Sequence, residues 1–247
     1  METLIAWKNR IALSGTALKL LAMLCMTVDH MGLLLLDNFW LCRVIGRLAF
    51  PIFAYMIAEG CRYTRHKSRY LLILLGEGLL CSAVYYLAQR SLAQNILITF
   101  SLSVLLIFGL FDLKKQAEQT GNLPRLLLSL FWVLGTLAVT FFLGFPPSFL
   151  REAGFSLDYG VVGVLCPVIV AILPDRRSRW LGLAAALVLL AFSMGGGRQW
   201  FGLLALIPLF FYSGKRGKYS LNYLFYVYYP LHLLVLEGIR SLVHSGG

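Results

Sequence analysis

The sequence predicts an all-α polytopic membrane protein of about nine transmembrane helices. Of its 247 residues, 59% are hydrophobic and 13% are charged, and the mean hydropathy is +0.78. That composition leaves too little polar surface to cover a soluble domain of this size. The apolar residues also fall into runs long enough to cross a bilayer, and short polar or basic segments separate these runs.

Hydropathy divides the chain into nine predicted spans, with a range of eight to ten, and we expect one domain over residues 1–247. The predicted spans lie near residues 17–36, 43–61, 69–89, 95–112, 126–144, 158–174, 180–195, 198–213 and 222–243. Gly195, Gly196 and Gly197 separate the seventh span from the eighth. Three consecutive glycines predict either a tight hairpin or a broken helical element at this point.

Lysine and arginine are distributed unevenly between alternate loops of this map. One side of the membrane receives sixteen of the 22, and the other side and the membrane interior keep six. Cytoplasmic loops carry the excess of these residues, so we expect the N-terminus inside and the C-terminus outside. The net charge of +11 then reflects topology, and we expect membrane lipids rather than nucleic acid around the chain.

The first span contains an adjacent acid and base, Asp29 and His30, inside its apolar run. An ionisable residue near the middle of a span costs about 2.5–3.5 kcal/mol on insertion scales, so it usually has a function. Lys19 precedes His30 by eleven residues, which places both on one helical face, roughly 16 Å apart along the axis. This spacing suits a ligand with an anionic end at the membrane edge and a reacting end near a base. The simpler alternatives are that His30 is only hydrogen-bonded to a neighbouring helix and that Lys19 is an ordinary lysine at the membrane interface.

The second span carries Arg47 one turn inside its start, Pro51 in its middle and Glu59 near its far edge. A guanidinium cannot lose its charge, so Arg47 must meet a carboxylate, a phosphate or water. Within the membrane, Asp29 is the nearest candidate partner in the sequence, and Glu77 is an alternative. Such a pairing is compatible with a catalytic role for the same residues.

Polar residues of the third and fourth spans are the next candidates. Glu77 lies between Gly76 and Gly78, so it faces other helices and is either a partner of Arg47 or an active-site carboxylate. Asn95 and Thr99 lie one turn apart on one face. They can bind a substrate or link helices, and the sequence favours the link.

The last predicted span combines Tyr229, Pro230 and His232. Pro230 frees a backbone carbonyl that a neighbouring helix or a ligand must satisfy. His232 is either part of a central cavity or a histidine bonded in the core. Glu237 lies about 140° around the helix from His232, so these two are not expected to act together.

The five cysteines do not form a metal or disulfide pattern. They are dispersed singly, without a CxxC pair and without nearby histidines. We therefore expect neither a bound metal nor a disulfide framework.

Together these motifs resemble the TraX family of bacterial membrane proteins, and the resemblance covers nearly the whole chain. The matching stretches are Asp29-His30-Met31-Gly32, Gly46 to Phe53, Glu59-Gly60 with Thr64, Asn95 to Thr99, Asp158-Tyr159-Gly160 and Tyr228 to Leu233. The spacing from Lys19 to His30 is also similar to the basic-residue and histidine signature of the acyltransferase-3 group of transmembrane acyltransferases.

The resemblance implies a transmembrane acyltransferase-like bundle in the bacterial cytoplasmic (inner) membrane. Such an enzyme moves an acetyl group from cytoplasmic acetyl-CoA to an amine or hydroxyl, on a polypeptide N-terminus such as pilin or on a glycan. It implies that His30 is the catalytic base. With it we expect Asp29 or another buried carboxylate to orient the ring, and Arg47 to stabilise an oxyanion or hold the substrate. Direct transfer and an acyl-histidine intermediate both remain open.

We assign the remaining polar residues to binding or support. The residues expected to meet the coenzyme A phosphates are Lys19, Arg62, Arg65 and Lys67, although this basic loop also suits a purely topological role. The supporting residues are Glu59, Glu77, Asn95, Thr99, Tyr229 and His232.

Two other classes of protein fit the buried charges. A proton-coupled transporter can relay protons through buried Asp, His, Arg and Glu residues without covalent chemistry. The absence of inverted repeats in the sequence argues mildly against it. A catalytically silent assembly factor is the third reading, and it predicts that alanine at His30 or Arg47 leaves function intact.

Overall fold

A computed structural model of the chain describes residues 12–119, 122–218 and 222–245. Regular structure in these residues is helical, with two isolated bridges that pair Leu13 with Tyr212 and Gln94 with Leu157. The helices are α1 (Gly15–Leu34), α2 (Trp40–Gly46), α3 (Ala49–Tyr63), α4 (Lys67–Gln89), α5 (Ile96–Glu118), α6 (Leu123–Gly144), α7 (Ser148–Glu152), α8 (Gly160–Ile172), α9 (Arg176–Ser193), a 3₁₀ helix (Gly197–Ala205), α10 (Leu206–Phe210) and α11 (Asn222–Ser245).

Five helical segments of the described chain are long and apolar enough to cross a membrane. They are Gly15–Leu34, Trp40–Tyr63, Lys67–Leu87, Ile96–Glu118 and Leu123–Gly144. The chain is therefore a multi-pass membrane protein. Every predicted span coincides with helical structure, but the count of nine crossings is not confirmed.

The four predicted spans that are not among these five lie in the second half of the chain, and two of them are short or divided. Helix α8 has 13 residues, or about 20 Å of helix, which is shorter than a bilayer core. The predicted eighth span consists of the nine-residue 3₁₀ helix followed by the five-residue α10. Gly195, Gly196 and Gly197 all have positive φ angles, so the chain turns there as the glycines predict.

The second predicted span is broken in the structure. Helix α2 ends at Gly46, residues 47 and 48 form a turn, and α3 begins at Ala49. Pro51 explains the break, because it has no N–H to donate and its ring would clash with the carbonyl of Arg47 in a continuous helix. In the first turn of α3 the same proline is tolerated.

The chain divides into two compact units. The first takes the described residues of 1–56 and 187–247, and the second takes those of 57–186. In the first unit, α1 packs against α2 and α11, and the 3₁₀ helix packs against α2. The prediction of a single domain over the whole chain stays a prediction.

Helices α1 and α11 run in the same direction. Thr27 of α1 is hydrogen-bonded to Tyr228 of α11, and three residues later His30 meets His232, four residues after Tyr228. Because the two pairs follow the same order along both helices, the helices are parallel.

In the second unit, α5 is central and packs against α4, α6 and α8. Polar side chains make the helix links: Asn95 caps α5 by accepting from the N–H of Leu97 and donates to the Gly78 carbonyl of α4 at 2.7 Å. Thr99 donates to the Asp158 carbonyl just before α8, also at 2.7 Å. Inside a bilayer such bonds hold helices together where water cannot compete.

Candidate active site

Two histidines from the first and last helices meet in the first unit. Nδ1 of His30 lies 3.1 Å from Nε2 of His232, and the ring centroids are 5.0 Å apart. Nδ1 of His30 also lies 3.0 Å from the Met26 carbonyl, and Nδ1 of His232 lies 2.9 Å from the Tyr228 carbonyl. Each ring is thus held by the carbonyl four residues earlier in its own helix.

These contacts fix which nitrogens carry protons. A carbonyl oxygen only accepts, so the Nδ1 atom of each histidine bears the proton. In His232 this leaves Nε2 as an acceptor, so the single proton on Nδ1 of His30 is shared between the Met26 carbonyl and Nε2 of His232. Among the described residues, Nε2 of His30 has no hydrogen-bond partner. It is therefore the one nitrogen of the pair with a lone pair available to a ligand.

Beside the histidines, one carboxylate holds two arginines. Asp29 Oδ2 lies 2.8 Å from a terminal nitrogen of Arg43, and both Asp29 oxygens lie 3.3 Å from Arg47 Nη2. The three side chains are only 12–17% exposed. Together they carry a net charge of +1, and both guanidinium groups are close enough to act electrostatically on His30.

Two glycines allow this close packing of α1 against α2. A Cβ atom at Gly46 would collide with the Cβ and carboxylate of Asp29, and a Cβ atom at Gly32 would collide with Cys42. Small residues at helix crossings let membrane helices approach closely. The glycines of the Asp29 to Gly32 and Gly46 to Phe53 motifs therefore position the acid and the arginines.

Tyrosines of α11 surround the His232 ring. Tyr228 stacks on it with an interplanar angle of 7°, and buried Tyr229 packs edge-on, with ring centroids 5.2 and 5.6 Å away respectively. Thr27 donates to the Met23 carbonyl at 2.9 Å, so the Tyr228 hydroxyl donates to the Thr27 hydroxyl. This link lies one turn before the histidine pair and fixes α11 against α1.

Comparison with known proteins assigns the family. The TraX protein family matches residues 14–240, a range that includes both histidines and the arginine pair. The chain belongs to the TraX family.

Two curated relatives resemble this TraX family member. One is a probable fimbrial assembly protein, FimC of serogroup H1, from Dichelobacter nodosus, with 31% identity over 92% of this chain and 96% of that protein. The other, the uncharacterized protein RP591 of Rickettsia prowazekii (strain Madrid E), is 35% identical over 37% of this chain and 35% of its own length. No solved structure matches the chain.

In this TraX family member, some predicted site residues come together and others do not. Asp29, His30, Arg47, Tyr229 and His232 gather in the first unit. Asp29 binds the arginines instead of the His30 ring, so the hydrogen bonds that orient His30 come from the Met26 carbonyl and His232.

Glu77 is not part of that group. It lies in α4, where its Oε2 atom is buried without a hydrogen-bond partner among the described residues. The carboxylate bound by Arg47 is Asp29. The expected alternative pairing of Arg47 with Glu77 is thus not observed.

Glu59 and Arg62 lie in a second polar cluster, in the second unit. Glu59 forms a 2.9 Å salt bridge with Arg179, and both are nearly buried. Arg62 donates to the carbonyls of Ala171 and Leu173, at the end of α8. Arg62 therefore caps a helix, which satisfies carbonyls that have no partner within the helix.

Two further residues expected at coenzyme A, Arg65 and Lys67, are exposed. Lys67 lies over the Phe108 ring at 5.3 Å, beside a groove of about 490 Å³ between α4, α5 and α6, and Arg65 lies in the preceding turn.

Near the start of α9, backbone and side-chain hydrogen bonds with Ser178 lower the pKa of Asp175, which accepts from the Ser178 N–H at 2.8 Å.

Asn95 and Thr99 link helices, as the sequence favours. Sequence reasoning did not assign site roles to Arg43 and Tyr228. Both were detectable by spacing, because Arg43 precedes Arg47 by four residues and Tyr228 precedes His232 by four. Residues four apart share a helical face.

Proposed function

We propose that this TraX family member is a transmembrane acetyltransferase that moves an acetyl group from acetyl-CoA to an amine or hydroxyl. The observation that carries the proposal is the histidine pair, in which Nε2 of His30 is the nitrogen left to act as a base. A neutral imidazole beside a ligand site is the commonest general base in enzymes.

In the proposed reaction His30 Nε2 takes a proton from the acceptor as its nitrogen or oxygen attacks the thioester carbonyl. The new C–N or C–O bond forms, the C–S bond breaks, and the proton passes to the leaving coenzyme A sulfur. The net positive charge of Asp29, Arg43 and Arg47 would stabilise the oxyanion formed on the way. His232 would keep Nδ1 of His30 protonated and its ring oriented.

The acceptor we favour is a polypeptide N-terminus. The support is the D. nodosus relative, whose name is that of a probable fimbrial assembly protein and which matches nearly the whole chain. A glycan hydroxyl is the alternative acceptor. We expect the protein in a bacterial cytoplasmic membrane with its N-terminus inside, in agreement with the charge distribution.

The test is acetyl-CoA consumption by the purified protein in detergent. Free coenzyme A thiol is measured with a peptide amine or a sugar as acceptor. We expect turnover in the wild type and a loss of about 10²–10⁴-fold in His30→Ala, the range for a general base. His66→Ala is the matched control, because His66 is an exposed histidine in the turn before α4.

The outcomes separate the classes of function. Transfer to the peptide but not to the sugar supports the polypeptide acceptor. Equal turnover in wild type and His30→Ala would contradict the proposed base. If no acyl-CoA is consumed, the transferase proposal is wrong, and proton-coupled transport in liposomes becomes the next measurement.

A further inference from the structure

A basic segment is fastened to the start of α1. This segment, residues 213–218, is called the basic strap below, and it lies in the first unit together with α1. Hydrogen bonds between described residues hold it in place. They are Ser213 N–H to the Leu13 carbonyl (2.8 Å), Gly15 N–H to the Lys215 carbonyl (2.8 Å), Thr16 N–H to the Arg216 carbonyl (2.9 Å) and Thr16 Oγ1–H to the Arg216 carbonyl (2.7 Å).

Gly217 is required for this attachment. Its φ angle is +104°, which residues with a Cβ atom rarely adopt. A Cβ atom there would also lie 2.8 Å from Ser14 Oγ and 2.9 Å from Thr16 Oγ1. Both the backbone conformation and the space beside α1 therefore depend on glycine.

The strap brings positive charges together. Lys215, Arg216 and Lys218 are exposed, and Lys19 of α1 is half-buried and close enough to Arg216 for their charges to repel. The first N–H groups of α1 bond to strap carbonyls, so the helix terminus itself offers little to a ligand. The side chains form the cationic surface.

We propose that the basic strap and Lys19 bind the phosphate groups of the acyl-CoA donor. This inference rests on the proposed function and changes its cofactor residues, because the strap replaces the loop of Arg62, Arg65 and Lys67. A phosphate beside several ammonium and guanidinium groups relieves their repulsion and forms charge-assisted hydrogen bonds.

The position of Lys19 supports this assignment. Lys19 and His30 share one face of α1, and the rise of the helix separates them by roughly 16 Å along the axis. A ligand with phosphates at the strap and a long flexible arm along α1 would present its far end to Nε2 of His30. Coenzyme A has this shape, with its thioester at the end of the pantetheine arm.

A purely topological role does not explain the attachment. Lysine and arginine set membrane orientation by their presence in a loop and need no fixed structure. Here backbone hydrogen bonds and a constrained glycine instead hold the strap in one place, with Arg216 close to Lys19.

The experiment measures the Kd of coenzyme A without an acyl group, using the purified full chain in detergent. The test variant is Lys215→Ala, Arg216→Ala and Lys218→Ala combined. The matched control removes the same charge elsewhere, by Lys114→Ala, Lys115→Ala and Arg125→Ala, three exposed residues. We expect roughly tenfold or greater weakening in the strap variant, a shallower salt dependence, and no change in the control.

A second variant keeps every charge. Gly217→Ala should detach the strap and weaken coenzyme A binding to a similar degree. Gly214→Ala is its control, because Gly214 also has a positive φ angle (+75°) but has no atom within 4 Å of the point that a Cβ atom would occupy. Adenosine 3′,5′-bisphosphate, which carries phosphates but no pantetheine arm, should compete with coenzyme A in the wild type and lose this ability in both strap variants.

The results distinguish this inference from the proposed function. Normal binding by both folded strap variants would overturn the strap assignment and leave the transferase proposal standing. Equal weakening of coenzyme A binding in the control with Lys114, Lys115 and Arg125 replaced would show a general effect of net charge. That result would also overturn the strap assignment. If the wild type binds no coenzyme A, both proposals fail.

Discussion

Each of the two units contains a cluster of one carboxylate and two arginines, but only one of these clusters lies beside a pair of histidines. The first cluster is Asp29, Arg43 and Arg47, and the second is Glu59, Arg62 and Arg179. The charge count is the same in both. The difference lies in what surrounds the guanidinium groups.

In the second cluster the arginines serve a helix end. Arg62 and Arg179 donate to the carbonyls of residues 171, 173 and 174, where α8 ends and its dipole is negative. In the first cluster both arginines converge on Asp29 next to His30, whose Nε2 has a lone pair available. We therefore expect the first cluster, and not the second, to belong to a reactive site.

The two clusters should differ most in how kcat responds when one arginine of each is replaced by alanine. Arg47→Ala should lower kcat by about 10²–10³, the cost of losing an oxyanion donor. Arg179→Ala should leave kcat per folded molecule unchanged but lower the free energy of unfolding by about 3–5 kcal/mol, because it removes the 2.9 Å salt bridge of a nearly buried carboxylate, Glu59. Coenzyme A release and denaturant unfolding measure the two effects.

If Arg179→Ala does not fold, the double variant Glu59→Leu with Arg179→Leu replaces it. Removing both charges of a buried pair is often neutral or stabilising. A folded double variant with greatly reduced kcat would contradict the structural role of the second cluster.

A glycine from each unit gives the next comparison. Gly46→Ala should lower the free energy of unfolding by about 1–3 kcal/mol and reduce activity, because the new methyl group collides with Asp29. In Gly60→Ala the new methyl group would lie 2.6 Å from the hydroxyl oxygen of Tyr70. The end of that side chain can move, so we expect a smaller loss of stability than in Gly46→Ala. Thermal unfolding and activity of both variants test this; an equal effect of the two substitutions would contradict it.

His232 should have a smaller effect on rate. His232→Leu removes one of the two acceptors of the Nδ1 proton of His30, leaving the Met26 carbonyl, and should lower kcat roughly tenfold, the value of one neutral hydrogen bond. His232→Asn offers a carboxamide oxygen and should restore part of the rate. Because His232 acts through His30, the KM for acetyl-CoA should not change. A rise in KM with constant kcat would instead place His232 in substrate binding.

Asn95 should have no effect on rate. Asn95→Ala removes a helix cap and the bond to the Gly78 carbonyl, so the free energy of unfolding should fall by about 1–3 kcal/mol. The kcat of the folded fraction should match the wild type. A loss of kcat at unchanged stability would return Asn95 to the substrate site.

The sequence by itself determined the membrane class, the existence of helices at every predicted span and the family. These depend on local properties: apolar runs, glycine and proline breaks, and motifs of adjacent residues. It also determined that Lys19 and His30 share a face, because that follows from helical periodicity alone.

Only the tertiary structure decided which polar residues meet. His30 and His232 are 202 residues apart, and nothing in the local pattern of either helix reports the other. The same holds for Glu59 with Arg179 and for Arg216 beside Lys19. Local sequence sets the cost of burying a charge, but the packing of distant helices determines which partner offsets that cost. This packing therefore distinguishes structural charges from those at the candidate active site.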